Sequence, residues 1–191
     1  MIKTRAANKH DIVGVLLLQE KNLYSNLNED ERENGFVTTP FTVNQIKEII
    51  QQNGLFIAIN EHQIIIAYVF AGSWEYFKQW DIFNFMVSRF SQYSLNKQEI
   101  TTENSFQYGP VCIDKNYRGN GLLNLIFEEM RIEFHKKYPL SVTFINKVNA
   151  ISEKAHTKKL GWEIIDQFTF NNNTYIGLAF DMKNSVVKET K

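Results

Sequence analysis

Two glycines one residue apart, Gly119 and Gly121, stand where a predicted strand turns into a predicted helix. Because glycine has no Cβ, the backbone there can approach a ligand closely and leave its N–H groups pointing outward. A helix that begins directly after the glycines adds unpaired N–H groups and the positive end of its dipole. This arrangement predicts an anion site suited to phosphate or pyrophosphate.

Two common phosphate-binding motifs do not match this loop. The dinucleotide fingerprint G-x-G-x-x-G requires a third glycine where this chain has Asn124. The Walker motif ends in Gly-Lys followed by Ser or Thr, whereas Gly121 is followed by Leu122 and Leu123. Two interpretations of the loop remain. It is either a phosphate loop of another type or a glycine-rich turn that only caps a helix.

The strand before the loop is interrupted by Gly109-Pro110. Proline has no N–H to give to a ladder, so we expect strand pairing to break there. After the loop, apolar residues at helical spacing predict a helix. These residues are Leu122, Ile126, Met130 and Phe134.

The rest of the pattern predicts the element order β-α-α-β-β, an insert, then β-α-β-α-β-β, which is a mixed α/β fold. Thr42 and Gln45 form a capping box at the start of the second helix, and Gly54 is expected to close that helix. Residues 25–39 are predicted to be polar and mostly loop, and residues 95–105 to be a polar stretch that leads into the central strand. The aromatic residues of 74–93 recur at helical spacing and indicate one or two inserted helices.

Composition excludes several classes of function. Lys plus Arg and Asp plus Glu both number 21, so the formal net charge is zero, which argues against a basic face for nucleic acid or anionic lipid. One cysteine, Cys112, excludes an internal disulfide and a multi-cysteine zinc site. The four histidines show no metal-ligand spacing. No apolar leader or membrane-length run is visible, so we expect a cytoplasmic protein without a metal or a membrane partner.

The loop resembles the acyl-CoA loop of the GNAT (GCN5-related N-acetyltransferase) superfamily, whose pattern is [RQ]-x-x-G-x-[GA] after a bulged strand. Arg118 and Gly121 match the first and fourth positions, and Leu123 departs at the sixth. A second segment is similar to the family in the right order. It comprises Asn149, Ser152, Ala155, His156 and Leu160-Gly161-Trp162.

The resemblance covers nearly the whole chain and implies a single GNAT domain over residues 1–182, with a helical aromatic insert at 74–93 and a polar tail at 183–191. It implies a central, mostly antiparallel mixed sheet with a splayed parallel pair and helices on both faces. It also implies direct transfer of an acetyl group from acetyl-CoA to an amine of a small molecule or peptide. The residues expected to contact acetyl-CoA, many through their backbone, are Val111, Cys112, Ile113, Arg118, Gly119, Asn120, Gly121, Leu122, Leu123, Asn149 and Ser152.

The catalytic assignment is open at this stage. The family's usual acid is a tyrosine in the short helix near the asparagine; counting forward from Asn149 puts His156 at that place, whereas counting back from Gly161 puts Thr157 there. We favour His156, because imidazole can donate a proton and a threonine hydroxyl hardly can. Glu103 and Tyr108 are candidates for the base, although a structural role is the alternative for each.

The aromatic insert has two interpretations. Its side chains can be core packing or a homodimer face, or Trp74, Tyr76 and Trp80 can line the acceptor pocket. Two rival functions also follow from the sequence. A non-catalytic acyl-CoA-binding module would bind acetyl-CoA without releasing CoA, and a protein-interaction domain that uses the insert would not bind acetyl-CoA.

Overall fold

The computed structural model describes residues 1–187, and the last four residues of the predicted polar tail, 188–191, lie outside the described residues. The strands are β1 (Lys3–Ala6), β2 (Leu55–Ile59), β3 (Ile65–Gly72), β4 (Ser94–Leu95), β5 (Gln98–Glu99), β6 (Ser105–Ile113), β7 (Leu140–Asn146), β8 (Glu163–Phe170) and β9 (Asn173–Asp181). The helices are α1 (Ile12–Glu20), α2 (Glu29–Arg32), α3 (Val43–Gln51), α4 (Trp74–Phe77), α5 (Asp81–Val87), α6 (Leu122–Phe134) and α7 (Ala150–Lys154), which a π-helix (Ala155–Leu160) continues.

Among residues 1–187, seven strands form one mixed sheet in the order β1-β2-β3-β6-β7-β9-β8, and β4 and β5 form a separate two-stranded sheet. The β1/β2, β2/β3, β7/β9 and β8/β9 pairs are antiparallel. The β6/β7 pair is parallel, with Ser105 opposite Leu140 and Gln107 opposite Val142. The predicted mixed sheet with one parallel pair joined by a helix is therefore confirmed.

The chain divides into two compact units, and the boundary passes through β6 between Tyr108 and Gly109. The first unit contains Met1–Ala71 and Gly109–Ile132. Its core includes the inner face of α3, where Ile46 and Ile49 are fully buried. The N-terminus of α3 carries the predicted capping box, since the Thr42 hydroxyl accepts from the Gln45 N–H and the Gln45 side chain accepts from the Thr42 N–H.

The end of α3 differs from the prediction. The residue in the left-handed region is Asn53 (φ 55°), which takes the place expected of a helix-closing glycine. Gly54 is required for a different reason, because a Cβ there would lie 2.1 Å from the Ala71 carbonyl oxygen. Close contact with β3, and not a positive φ, demands glycine at this position.

The second unit contains Gly72–Tyr108 and Glu133–Val186. The predicted insert folds as α4, α5 and a short 3₁₀ turn (Phe90–Gln92). Ring contacts join the insert to the sheet, with centroids 5.3 Å apart for Phe83 and Phe144 and 5.6 Å apart for Phe85 and Phe168. Arg89 adds an ion pair of 2.8 Å to Asp166 on β8.

Two short elements lie in polar stretches for which the sequence predicted no helix or strand. Helix α2 occurs inside 25–39, and its N-terminus has a capping box between Asn28 and Glu31. The β4–β5 hairpin covers residues 94–99, most of them inside 95–105, with Asn96 and Lys97 both at positive φ. Lysine is uncommon in such a turn, so the usual Asn-Gly signal of a hairpin was missing.

The capping box of α3 generates a prediction about stability. We expect Thr42→Ala to lower the free energy of unfolding by about 1 kcal/mol, because it removes a hydrogen bond to an N–H in the first helical turn. Urea unfolding of this variant and of Thr38→Ala, an exposed threonine in the same loop, measures the effect. Equal stability of the two variants would contradict the capping role.

Candidate active site

The glycine loop joins β6 to α6 inside the first unit. Asp114 caps a 3₁₀ turn (Lys115–Tyr117) by accepting from the Asn116 N–H, and α6 begins at Leu122. Its first backbone hydrogen bond runs from the Leu125 N–H to the Gly121 carbonyl (3.2 Å). The start of an α-helix presents backbone N–H groups and the positive end of the helix dipole, which is the feature that anion binding uses.

Both loop glycines adopt conformations that favour glycine. Gly119 has φ 85° and Gly121 has φ 77°, and a Cβ built on either would meet no atom within 4 Å. Backbone conformation, and not crowding, demands glycine at these positions. The space over the loop is open, and the exposed residues 119–121 present their backbone to it. This geometry fits a pyrophosphate held by backbone N–H groups.

The parallel ladder of β6 and β7 ends just before the loop. Its register runs from Ser105/Leu140 to Gln107/Val142. At the next position, the Tyr108 carbonyl accepts hydrogen bonds from the Thr143 hydroxyl (2.7 Å) and the Gln107 Nε2 amide (2.6 Å). Two buried side chains thus satisfy a carbonyl next to the Gly109-Pro110 break, where Pro110 has no N–H to offer.

Tyr108 and His156, two of the predicted catalytic residues, lie together in the second unit. The Tyr108 hydroxyl oxygen is 3.3 Å from His156 Nε2, and both side chains are buried. His156 Nδ1 lies 2.7 Å from the Ser152 carbonyl oxygen, which can only accept, so Nδ1 carries the proton. Nε2 then accepts from the Tyr108 hydroxyl.

Burial determines the protonation of this pair. It lowers the pKa of His156 to about 4, partly offset by the hydrogen bond to Ser152, and raises the pKa of Tyr108 well above its ordinary value. At neutral pH both groups are therefore neutral. His156 Nε2 is a proton acceptor in this form, so it must first gain a proton before it can act as the predicted acid, and that role stays a prediction.

The helix that carries His156 explains the ambiguity between His156 and Thr157. Residues Ala155–Leu160 form a π-helix, and the Gly161 N–H donates to the His156 carbonyl five residues earlier. A π-turn accommodates one extra residue within a helix. The two ways of counting differ by that residue. The structure buries His156 beside Tyr108, while the Thr157 hydroxyl donates to the Glu153 carbonyl (2.9 Å).

The other residues expected to contact acetyl-CoA have local structural roles here. Asn149 caps α7, with its side-chain oxygen accepting from the Ser152 N–H (3.2 Å). Cys112 is buried, and burial raises the pKa of its thiol to about 12, so it offers no thiolate nucleophile at neutral pH. Leu122 is buried at the start of α6, and Leu123 is half-buried. Contact of these residues with acetyl-CoA stays a prediction.

The insert aromatics and Glu103 occupy different settings within the second unit. Trp74 is buried and its indole N–H donates to the Ser105 hydroxyl (3.1 Å), while Tyr76 is buried against Phe77 and Trp80 is half-buried. These contacts are core packing, and acceptor binding by the three side chains stays a prediction.

Glu103 lies in an exposed turn, where a hydrogen bond from Thr102 lowers its pKa.

Sequence reasoning missed Gln107 and Thr143, which hold the Tyr108 carbonyl. Both are buried polar residues on strands, and a polar residue within an apolar strand pattern was the one available signal. Strand register decides which carbonyl they reach, and register is a property of the assembled sheet.

No protein-family model matches the chain, and no curated protein sequence matches it. Solved structures do match over nearly its whole length. The yncA protein of Salmonella typhimurium, with its cofactor acetyl-CoA, has a TM-score of 0.61 at 12% identity and covers 100% of this chain and 99% of its own.

Two further structures agree with that match. A GNAT-family acetyltransferase from Streptococcus agalactiae has a TM-score of 0.63 at 16% identity, covering 94% of this chain and 95% of its own. The ribosomal-protein-alanine N-acetyltransferase from Brucella melitensis has a TM-score of 0.60 at 15% identity, covering 94% and 99%. The chain has the fold of the GNAT acetyltransferases, as its loop and its C-terminal segment predicted.

Within residues 1–187, no helix is long and apolar enough to cross a membrane. Over the same range, no group of three or more His, Cys, Asp and Glu side chains is placed to hold a metal ion.

The burial of neutral His156 predicts a pH dependence of stability. Its folded pKa of about 4 lies below the ordinary value of 6.5, so the unfolded chain binds more protons between these values. This contribution to stability is complete above about pH 6.5 and is lost as the pH falls toward 4. At pH 5 the loss relative to pH 7.5 is about 2 kcal/mol.

Urea unfolding at pH 7.5 and pH 5 measures this effect, with His156→Gln as the variant that removes the titrating group. We expect the wild type to lose about 2 kcal/mol more than His156→Gln on acidification. His10→Gln, which alters an exposed histidine, serves as the matched control and should behave as the wild type. An identical pH response of wild type and His156→Gln would mean that His156 is not buried in its neutral form.

Proposed function

We propose that this chain is a cytoplasmic N-acetyltransferase that transfers an acetyl group directly from acetyl-CoA to an amine. The observation that carries the proposal is the glycine loop. Two glycines at positive φ, open space above them and the start of a 13-residue helix form a backbone anion site at the end of β6. The GNAT fold supports an acyl-CoA as the ligand of this loop.

The reaction forms an N–C bond between the amine and the acetyl carbon and breaks the C–S bond of the thioester. An ammonium has a pKa near ~10.4, so the acceptor must lose a proton before it attacks. The nitrogen loses a second proton as the amide forms, and the departing CoA thiolate gains one, so the ammonium's first proton is released to solvent overall. A group that takes the second proton from the nitrogen and passes it to the thiolate completes the reaction.

Tyr108 and His156 have the geometry of such a relay. The Tyr108 hydroxyl can take a proton from the acceptor while its own proton moves to His156 Nε2, 3.3 Å away. The low pKa of His156, about 4, means that the imidazolium returns the proton readily. We therefore assign proton transfer to this pair, with Glu103 as the second candidate for the base.

For the acceptor, we propose a small-molecule or peptide amine. The matched structure from Brucella melitensis is an N-acetyltransferase of ribosomal-protein alanine, which favours a peptide N-terminus. The equal numbers of acidic and basic residues also suit an acceptor that is not strongly charged.

The loop geometry predicts the effect of one substitution on binding. We expect Gly121→Ala to weaken acetyl-CoA binding at least about tenfold, because a residue with a Cβ disfavours φ 77° by roughly 1–2 kcal/mol and the loop would change shape. Calorimetric titration with acetyl-CoA measures this. Gly161→Ala is the matched control, since Gly161 has φ 81° and a Cβ built on it would also meet no atom within 4 Å.

Both variants carry the same backbone strain, so both should lose similar thermal stability. Only Gly121→Ala should lose affinity. Equal acetyl-CoA binding by the two variants would remove the loop from the proposal, and the glycines would then serve only as turn residues.

The relay predicts a separation of catalysis from binding. We expect Tyr108→Phe to lower kcat by about a hundredfold, because general acid–base groups contribute about 10² to 10⁴ to the rate. Its acetyl-CoA affinity should stay within about threefold of wild type, since no phosphate contact is removed. CoA thiol release with a panel of peptide and small amines measures the rate, with Glu103→Gln as the control.

The outcomes separate the rival functions. A rate loss in Glu103→Gln but not in Tyr108→Phe would transfer the base role to Glu103. Acetyl-CoA binding without CoA release for any acceptor would favour the non-catalytic acyl-CoA-binding module.

A further inference from the structure

Arg118, the residue before the glycine loop, directs its guanidinium at the protein. Nε donates to the Ile113 carbonyl at the end of β6 (2.8 Å), and one terminal nitrogen donates to the Asn22 side-chain oxygen (2.8 Å). The other terminal nitrogen donates to the Asn34 carbonyl. One rigid planar group therefore connects three separate points of the first unit.

Two of those points belong to one segment, residues 22–37, between α1 and α3. The base of the segment is closed by backbone hydrogen bonds between Asn22 and Val37 and between Tyr24 and Val37 (both 2.9 Å). Its body is held internally, since the Arg32 guanidinium lies 4.0 Å from the centre of the Tyr24 ring. Asn34 follows α2 within the segment, so Arg118 contacts the segment both at Asn22 and after α2.

The residues of this contact, Arg118, Asn22 and Asn34, also line a cavity of about 720 Å³. Asp114, Lys115 and Asn116, from the turn before the glycine loop, line the same cavity. The cavity volume is that of a small-molecule site. Arg118 lines this cavity and directly precedes Gly119 in the chain. Movement of its side chain would therefore affect both the cavity and the start of the glycine loop.

Arg118 keeps its positive charge, while its hydrogen bonds fix the position of the guanidinium. Within residues 1–187 the guanidinium forms no ion pair with a carboxylate, so it keeps its positive charge beside the loop. Its three acceptors are neutral carbonyl oxygens. Lysine would keep the charge but could not span the same three acceptors in a fixed plane.

We propose that Arg118 is a positioning residue that fastens residues 22–37 to the glycine loop, so that occupation of the loop by acyl-CoA is transmitted to this segment and to the cavity it lines. The inference rests on the proposed function for its ligand. It assigns to Arg118 a role in the shape of the site, and not a direct bond to phosphate.

Hydrogen exchange without ligand tests the brace by itself. In Arg118→Lys and Arg118→Met, we expect the amides of residues 22–37 to exchange at least about fivefold faster, while those of 43–59 are unchanged. Lys115→Met, which removes a neighbouring exposed charge and no hydrogen bond of the brace, should exchange as the wild type. Unchanged exchange of 22–37 in both Arg118 variants would overturn the proposal.

Titration with acetyl-CoA tests the positioning role. We expect both Arg118 variants to bind about tenfold more weakly, and Lys115→Met less than about threefold more weakly. At saturation, acetyl-CoA should slow exchange in 22–37 and in the loop of the wild type, but only in the loop of Arg118→Lys. A merely structural role would not separate these two regions.

Two results would contradict the inference. Wild-type affinity in Arg118→Lys together with weak binding in Arg118→Met would mean that the charge acts directly on phosphate. If the wild type binds no acetyl-CoA, the proposed function fails and the positioning role fails with it, while the ligand-free exchange still shows whether Arg118 holds the segment.

Discussion

The end of the parallel ladder at Tyr108 is the constraint on which the setting of Tyr108 and His156 in the second unit depends. A buried carbonyl must have a hydrogen-bond partner, and in a continuous sheet the neighbouring strand would supply it. Here Thr143 and Gln107 supply it through their side chains. The ladder can therefore stop without leaving the Tyr108 carbonyl unsatisfied, and β6 can continue through Gly109-Pro110 toward the glycine loop.

The same residue links the strand to the helix beyond β7. The Tyr108 hydroxyl needs a buried acceptor, and the neutral imidazole of His156 provides one because Ser152 fixes its tautomer. The π-turn at Ala155–Leu160 makes this possible, since the extra residue allows His156 to be buried while Gly161 still closes the helix. A regular α-helix through the same residues would rotate the side chains after the insertion by about 100°.

The glycine loop and Arg118 are neighbours in the chain but have opposite requirements for hydrogen bonding. The loop must leave its N–H groups unpaired for a ligand, whereas the segment beside it must be held in place. Gly119 and Gly121 meet the first through backbone conformation, and Arg118 meets the second with three hydrogen bonds to the protein. A loop of this shape beside a braced side chain suits the preorganised anion site that we propose.

The sequence by itself determined the order of the elements, the loop and the family resemblance. These depend on local chemistry, such as the glycines at 119 and 121, the capping box at Thr42 and the apolar spacing of α6, which neighbouring residues decide. Local patterns also left α2 and the β4–β5 hairpin unpredicted, because short elements carry weak periodicity.

Only the tertiary structure decided the roles of the polar side chains. Sequence counting could not choose between His156 and Thr157, because helix type depends on how the helix packs. Nor could it show that Thr143 and Gln107 reach one carbonyl, or that Arg118 contacts residues 84 and 96 positions away in the chain. Register, burial and long-range hydrogen bonds arise when distant segments assemble, and they determine which groups are neutral, braced or free to bind.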